Sequence, residues 1–336
     1  MGLNKNLNIA KKQKNDEFYT KFSDIENEVK FYGEQFAGKT VYCNCDDPFT
    51  SNFFKFFALN FNFLKLKKLI ATCYAGSPDA DNNLENQNQN IPHKIEITEI
   101  PKVNTKKSVN FSDVEFLLSV KNNHLTRLRG NGDFRSLECI ELLEKADIVV
   151  TNPPFSLFRE FVCLLTEFNK KFLIIGTDDC RVYAEIFPLI KENKMWCGYT
   201  RVKEFIQPDG SLKKFGKIGW YTNLDVKKRN EFLVLRYKYD QKIYPKYDNY
   251  DAIEVAKVAK IPMDFSGVMG VPVNFLDVYN PQQFEILGSN RGVNQDANKI
   301  YGRGTLINGK ETFKRIFIKN KVMMPKIVGN LSKNIL

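Results

Sequence analysis

Apolar and polar positions follow two alternating rhythms over roughly the first two-thirds of the chain. Short apolar runs closed by turn residues predict strands at 40–45, 69–74, 148–150 and 172–176. Between the first two, Asp46-Asp47-Pro48 reads as a turn. Ser51 then predicts the cap of a helix carrying Phe53, Phe54, Phe57, Phe61 and Leu64. Those rings cover more than one face, so the helix is expected to be buried on two sides. Residues 136–146 predict a helix with Leu137, Ile140, Leu142 and Leu143 on its apolar side. Ser156 predicts the cap of another, bearing Phe158, Phe161, Val162, Leu164 and Leu165. A further helix is expected near 183–193, then strand-like runs at 196–206, 218–224 and 231–239.

Strands alternating with helices predict a mostly parallel sheet covered on both faces, and the late run of strands predicts an antiparallel hairpin at one edge. Residues 76–92 are polar and Asn/Gln-rich and read as a loop, and 93–129 as a mixed stretch with short strands. From about residue 240 the rhythm stops and Tyr, Pro, Gly and Asn become frequent. Asn308-Gly309 between apolar runs predicts a hairpin turn. The expected organisation is a large α/β domain over 1–239, with a polar insert around 76–130, and a smaller irregular α+β segment over 240–336.

Charge adds a partner class. Fifty Lys and Arg against 39 Asp and Glu give +11 at pH 7, and hydrophobic residues make up 43%. The basic residues concentrate at the ends: Lys5, Lys11, Lys12 and Lys14 precede the first acid, and nine Lys or Arg against Glu311 alone lie between Lys299 and Leu336. Basic ends suit a polyanion. The seven cysteines are odd in number and mostly sit in apolar runs, as reduced core residues do. Cys43-Asn44-Cys45 has no zinc spacing, and the two histidines, His93 and His124, sit in polar surroundings. A metal site and a histidine triad are therefore not expected. No apolar stretch has the length of a membrane span, so a cytoplasmic protein is expected.

The most telling stretch is Asp147-Ile148-Val149-Val150-Thr151-Asn152-Pro153-Pro154-Phe155. Two prolines end the strand abruptly, which puts a stiff turn at its carboxyl end, where open α/β sheets bind ligands. The turn offers the Asn152 amide oxygen, a Pro153 carbonyl fixed by Pro154, and the Phe155 ring. That set suits an exocyclic amine on a flat base. It resembles motif IV of the amino-methyltransferases, which use S-adenosylmethionine (AdoMet) to methylate adenine N6 or cytosine N4. Other stretches resemble that group's motifs in order. Phe18-Tyr19-Thr20 stands where motif X covers the methionine moiety of AdoMet. Asn44-Cys45-Asp46-Asp47-Pro48 takes the place of motif I without its glycines. No acid is assignable to motif II. Asp133 and Phe134 resemble motif III, beside the cofactor adenine. Trp220 and Tyr221 fall where motif VIII stacks on the target base opposite Phe155.

Two longer stretches narrow the resemblance: 41–48 with Ser51-Asn52-Phe53-Phe54, and 270–276 followed by Tyr279-Asn280-Pro281 and 283–288. Together with 151–158 they resemble the EcoRI-type adenine-specific DNA methyltransferase family across almost the whole chain. The resemblance implies a class I, Rossmann-like fold with a seven-stranded, mostly parallel sheet, and AdoMet as cofactor. It implies N6-adenine methylation at a short site in double-stranded DNA by a monomer. It also implies a restriction endonuclease reading the same site without a stable complex. Arg291, Arg303, Lys310, Lys314 and Arg315 are the expected DNA contacts. The residues alone leave open an RNA adenine or protein glutamine methyltransferase, and a non-catalytic DNA-binding protein on this scaffold.

Overall fold

The computed structural model describes residues 19–74, 92–100, 117, 120, 123–207, 210–290 and 304–322. Phe18, Arg291 and Arg303 lie outside the described residues, as does most of the polar insert. The chain divides into two compact units. One comprises Met1–Arg181 with Lys194–Val226, the other Val182–Asn193 with Lys227–Leu336. The division therefore does not fall at 239/240: the second unit starts earlier and recruits a short upstream segment.

The first unit is built on one nine-stranded sheet. Its strands are β1 (Tyr19–Thr20), β2 (Thr40–Cys43), β3 (Lys68–Thr72), β4 (His93–Ile97), β5 (His124–Arg127), β6 (Ile148–Thr151), β7 (Lys171–Thr177), β8 (Trp196–Ile206) and β9 (Leu212–Thr222), in the order β1-β8-β9-β7-β6-β2-β3-β4-β5. The four central strands, β3-β2-β6-β7, are parallel. Their side chains are buried almost throughout, which is why they read as continuous apolar runs. Antiparallel pairs flank them on both sides.

The expected seven strands are a correction: the sheet has nine, with β1 and β5 adding one strand at each edge. β1 is two residues long and β5 is exposed throughout, so neither carries an apolar period. His93, expected in a loop, opens β4.

Helices cover the sheet: α1 (Phe22–Val29), α2 (Asn52–Leu59), α3 (Leu137–Lys145) and α4 (Phe158–Glu167). Ser51 caps α2 by accepting from the Phe53 and Phe54 amides, and Ser136 caps α3 by accepting from the Cys139 amide. Ser156 does not cap α4. It lies inside a short 3-10 turn, Phe155–Leu157, that links the double proline to the helix. Phe61 and Leu64 pack in the core beyond the end of α2.

A buried acid that periodicity does not reveal fixes β8. Glu28 of α1 is fully buried and accepts from Tyr32 Oη (2.8 Å) and the Tyr199 and Thr200 amides (2.7 Å each). It thereby satisfies the donors that a bulge in β8 frees from the ladder.

The second unit holds α5 (Phe187–Lys191) and a four-stranded sheet, β10 (Ile253–Glu254), β11 (Met269–Pro272), β15 (Arg315–Asn320) and β12 (Phe284–Ser289). It also holds the hairpin of β13 (Leu306–Ile307) and β14 (Lys310–Glu311). That turn takes positive φ at Asn308 (50°) and Gly309 (70°), as an Asn-Gly hairpin requires. The strand expected at 231–239 is absent. Residues 231–239 join no ladder, apart from an isolated bridge between Tyr237 and Pro262. The helix expected over 183–193 shrinks to α5.

Candidate active site

β2 is hydrogen-bonded to β3 on one side and β6 on the other. The chain winds from β2 to β3 in one direction and later returns to β6 in the other. The carboxyl ends of β2 and β6 are thus a topological switch point, where a cleft opens. The turn after β2 is Asn44–Pro48, and the turn after β6 is Asn152–Phe155. A direct bond ties them, because Thr151 Oγ1 donates to the Asn44 carbonyl.

The first turn explains its lack of glycine. Cys45 adopts φ +70°, the left-handed conformation a glycine would otherwise supply. An L-residue there costs roughly 1–2 kcal/mol. Cys45→Gly should therefore keep or raise the melting temperature, and Cys45→Val should lower it. Thermal unfolding of both variants tests this; a Val variant as stable as the parent would contradict it.

Around that bend the polar atoms are buried and open. Asn44 Oδ1 accepts from Thr72 Oγ1 (3.4 Å), while Asn44 Nδ2 has no hydrogen-bond partner among the described residues. Asp46 Oδ1 accepts from Ser51 Oγ (2.6 Å), and Asp46 Oδ2 has none. Tyr19 Oη, Thr20 Oγ1 and Thr50 Oγ1 are buried in the same condition. Buried polar atoms are normally paired, so such a group implies a ligand that completes it. Burial pushes the Asp46 carboxyl up to about 7; the Ser51 hydrogen bond and the nearby Thr151 hydroxyl act the other way, and Asp47 adds to the rise. Asp47 Oδ1 accepts from the Phe49 amide (2.8 Å), and Pro48 is buried.

Asp133 and Phe134 lie in the turn before α3. Gly132, at φ +76°, packs directly on the Cys73 carbonyl at the end of β3, which brings this turn to the cleft's edge. The Asp133 carboxylate accepts from Arg135 Nε (2.9 Å) and Nη2 (2.7 Å), and this pairing holds it below the usual range. Phe134 is a correction. Its ring is buried, edge-on to Phe161 and covered by the Arg135 guanidinium, so it packs the core rather than facing a ligand.

Asp47, Cys73 and His93 approach one another within 4.8 Å, a grouping the sequence spacing hides. Burial pushes the Cys73 thiol up to about 12. At neutral pH it is therefore a protonated partner of His93 Nδ1 (3.2 Å).

In the second turn Pro153 is buried, and Asn152, Pro154 and Phe155 are half-buried. The Phe155 ring meets Phe205 of β8 edge-on at 6.1 Å. Phe205 pairs in register with Thr20, so β1 is brought beside the Asn-Pro-Pro-Phe turn. Gly176 leaves room for Phe158 on β7, which lets α4 start immediately after the turn.

Trp220 and Tyr221 are not available to a base. Trp220 is 1% exposed and packs edge-on to Phe53. Tyr221 is fully buried, its hydroxyl accepting from Arg181 Nε (2.8 Å) and donating to the Thr177 carbonyl (3.1 Å). Arg181 also pairs with Asp178 (3.0 Å), which pairs in turn with Arg201. The strand-borne aromatic in contact with the turn is Phe205, itself fully buried in the core.

In the second unit, Arg315 is a further correction. It forms a buried fork with Glu254, with Nε 3.0 Å from both carboxylate oxygens, and so holds β10 to β15. Lys310 is exposed and Lys314 half-buried. Among the described residues no helix is long and apolar enough to cross a membrane.

The strand order is consistent with a methyltransferase fold, and the sequence shows the class. It belongs to the family described as adenine-specific methyltransferase EcoRI, whose model matches residues 6–328. It is 46% identical to the Type II methyltransferase M.EcoRI of Escherichia coli, over 95% of this chain and 97% of that protein. It is 39% identical to the Type II methyltransferases M.MgeORF184P of Mycoplasma genitalium and M.MpnI of Mycoplasma pneumoniae, in each case over 94% of this chain and 98% of the relative. No solved structure matches it significantly.

Proposed function

We propose that this protein methylates N6 of adenine at a short site in duplex DNA, using AdoMet, as the modification enzyme of a restriction–modification system. The observation that carries the reading is the pairing of two turns on adjacent parallel strands: a cradle of open, buried polar atoms at Asn44 and Asp46, bonded through Thr151 to the Asn-Pro-Pro-Phe turn. Family membership supports it. A monomer working in the cytoplasm, with a separate endonuclease for the same site, completes the proposal.

The cradle fits the cofactor chemically. Asn44 Nδ2 is a donor, Asp46 Oδ2 an acceptor, and Tyr19, Thr20 and Thr50 offer hydroxyls. Asp46 would hold the amino group, and the Asp47 amide would meet the carboxylate. When bound, AdoMet supplies an electrophilic methyl group on a sulfonium.

The remaining work falls to this chain. Adenine N6 is a weak nucleophile because its lone pair is conjugated with the ring. Asn152 Oδ1 and the Pro153 carbonyl accept its two hydrogens, which draws the nitrogen toward tetrahedral geometry and aims the lone pair. Pro154 fixes the Pro153 carbonyl, and the Phe155 ring supports the base by stacking, worth roughly 1–3 kcal/mol. The base must leave the duplex to reach the turn. No histidine base is needed.

Asp46 gives the pH dependence a sign. The ionised carboxylate binds an ammonium group and the protonated one does not. AdoMet affinity should therefore fall about tenfold per pH unit below about 7. Without cofactor the linkage runs the other way. A carboxyl whose pKa is raised by folding stabilises the fold at low pH, and that contribution is lost as pH rises from about 4 through about 7. Asp46→Asn should thus weaken AdoMet binding at pH 8 yet stabilise the cofactor-free protein, by at most about 4 kcal/mol. Calorimetry with and without AdoMet tests both; a variant that loses stability and affinity together would remove the assigned role.

The substrate class is tested by transfer of labelled methyl groups to duplex DNA, structured RNA and glutamine-containing peptides side by side. Incorporation into duplex DNA is expected. Preferential labelling of RNA or peptide would overturn the DNA reading.

A further inference from the structure

The β8–β9 hairpin overhangs the cleft. β9 runs antiparallel to β7, and Ile218 pairs with Thr177, the last residue of β7. Residues 212–217 therefore project past the carboxyl edge of the central strands by roughly 20 Å. This is the edge that bears Asn152–Phe155.

The two faces of the projection differ. Phe205 and Lys213 are directly opposite in register, so they share a face. On that face three rings run outward from the catalytic turn: Phe155 is edge-on to Phe205 (6.1 Å), and Phe205 is edge-on to Phe215 (5.5 Å). The Lys213 ammonium lies 5.3 Å over the Phe215 ring and ends the row. On the other face Lys214 stands opposite Glu204, which is ion-paired with Lys21. Beyond the rings, Lys213, Lys214 and Lys217 are exposed, Gly216 faces open space, and Leu212 at the tip is 58% exposed.

We propose that this hairpin is a docking surface for the DNA strand that carries the target base, with Lys213 taking a backbone phosphate next to the extruded nucleotide. Phe215 is a positioning residue that holds the ammonium over its ring and so aims it. The proposal rests on the DNA-methyltransferase reading given above. It follows from charge and reach: a duplex whose base enters the Asn-Pro-Pro-Phe turn must pass its sugar–phosphate backbone along the overhanging edge, and the cation closest along the ring row to that turn is Lys213. A cation over an aromatic face is attracted to it and is held in place by it.

The test is binding of the full-length protein to a substrate duplex across a range of salt concentrations, with AdoMet binding followed in parallel as the measure of folding. A single lost phosphate contact makes the slope of log K against log salt shallower by about 0.9. Lys213→Gln is expected to show that change with AdoMet affinity intact. Lys39→Gln, which removes an exposed cation just before β2 at the opposite edge of the sheet, is expected to leave the slope unchanged. Phe215→Leu is expected to weaken binding in the presence of Lys213 but to add little to Lys213→Gln, because it acts through that residue. A wild-type slope for Lys213→Gln, or a change equal to that of Lys39→Gln, would overturn the proposal while leaving the methyltransferase reading intact. Absence of salt-dependent duplex binding by the wild type would overturn both.

Discussion

Asn152→Ala should reduce methyl transfer by roughly 10²–10³-fold or more while leaving AdoMet affinity largely unchanged. The asymmetry follows from position. The open polar atoms that would hold the cofactor belong to Asn44, Asp46 and the β1 residues, all upstream of β6. Asn152 follows β6, in a turn whose backbone is fixed on both sides: Pro153 and Pro154 constrain one, and the Thr151 hydroxyl bonds back to Asn44 on the other. Replacing the side chain therefore removes one acceptor without releasing the turn. Only an interaction that strengthens as the amine becomes tetrahedral lowers the barrier, so the loss should appear in kcat. Single-turnover rates and calorimetric AdoMet titration separate the two quantities. Parallel loss of both would mean that the side chain holds the fold or the cofactor instead.

Gly132→Ala should have the largest effect on stability. An added Cβ would lie 2.0 Å from the Cys73 carbonyl oxygen and 3.1 Å from Tyr74 Cα. These are backbone atoms at the end of a central strand and cannot swing aside. The position also has φ +76°, which disfavours any side chain. Overpacking of about 1–3 kcal/mol and a conformational cost of about 1–2 kcal/mol add. At about 2–4 °C per kcal/mol for a domain of this size, the melting temperature should drop by several degrees or more. The turn carrying Asp133 should also be pushed away from β3, weakening AdoMet binding. Gly38 is the control. It has φ +71°, and a Cβ added there would meet nothing within 4 Å, so Gly38→Ala bears only the conformational cost. Equal, small shifts for both variants would show that the close approach is absent.

These contrasts mark what could be read from the chain and what could not. The central strands were legible because a parallel strand buried on both faces is a continuous apolar run, as at Ile148-Val149-Val150. The Asn-Pro-Pro-Phe turn was legible because two prolines after such a run leave one outcome. The caps at Ser51 and Ser136 and the Asn308-Gly309 hairpin were likewise local chemistry. Features set by tertiary context were not. Cys45 takes a glycine's conformation with nothing in its side chain to announce it. Nothing local marks Glu28, Arg181 or Asp178, yet the first two are fully buried and the third pairs with both Arg181 and Arg201. Trp220 and Tyr221 point to opposite faces of a strand that is covered on both, which buries the two alike. Arg315 looked like one more cation in a basic tail until Glu254, 61 residues earlier, met it.

The central claim is that the two linked turns methylate adenine in DNA at a defined site. Its most direct test is to incubate the pure protein with AdoMet and unmethylated bacterial genomic DNA, then map N6-methyladenine at nucleotide resolution. Methylation confined to adenines within one short sequence motif is the predicted result. Unmodified adenines under conditions where AdoMet binding is demonstrated, or methyl groups on cytosine instead, would contradict it.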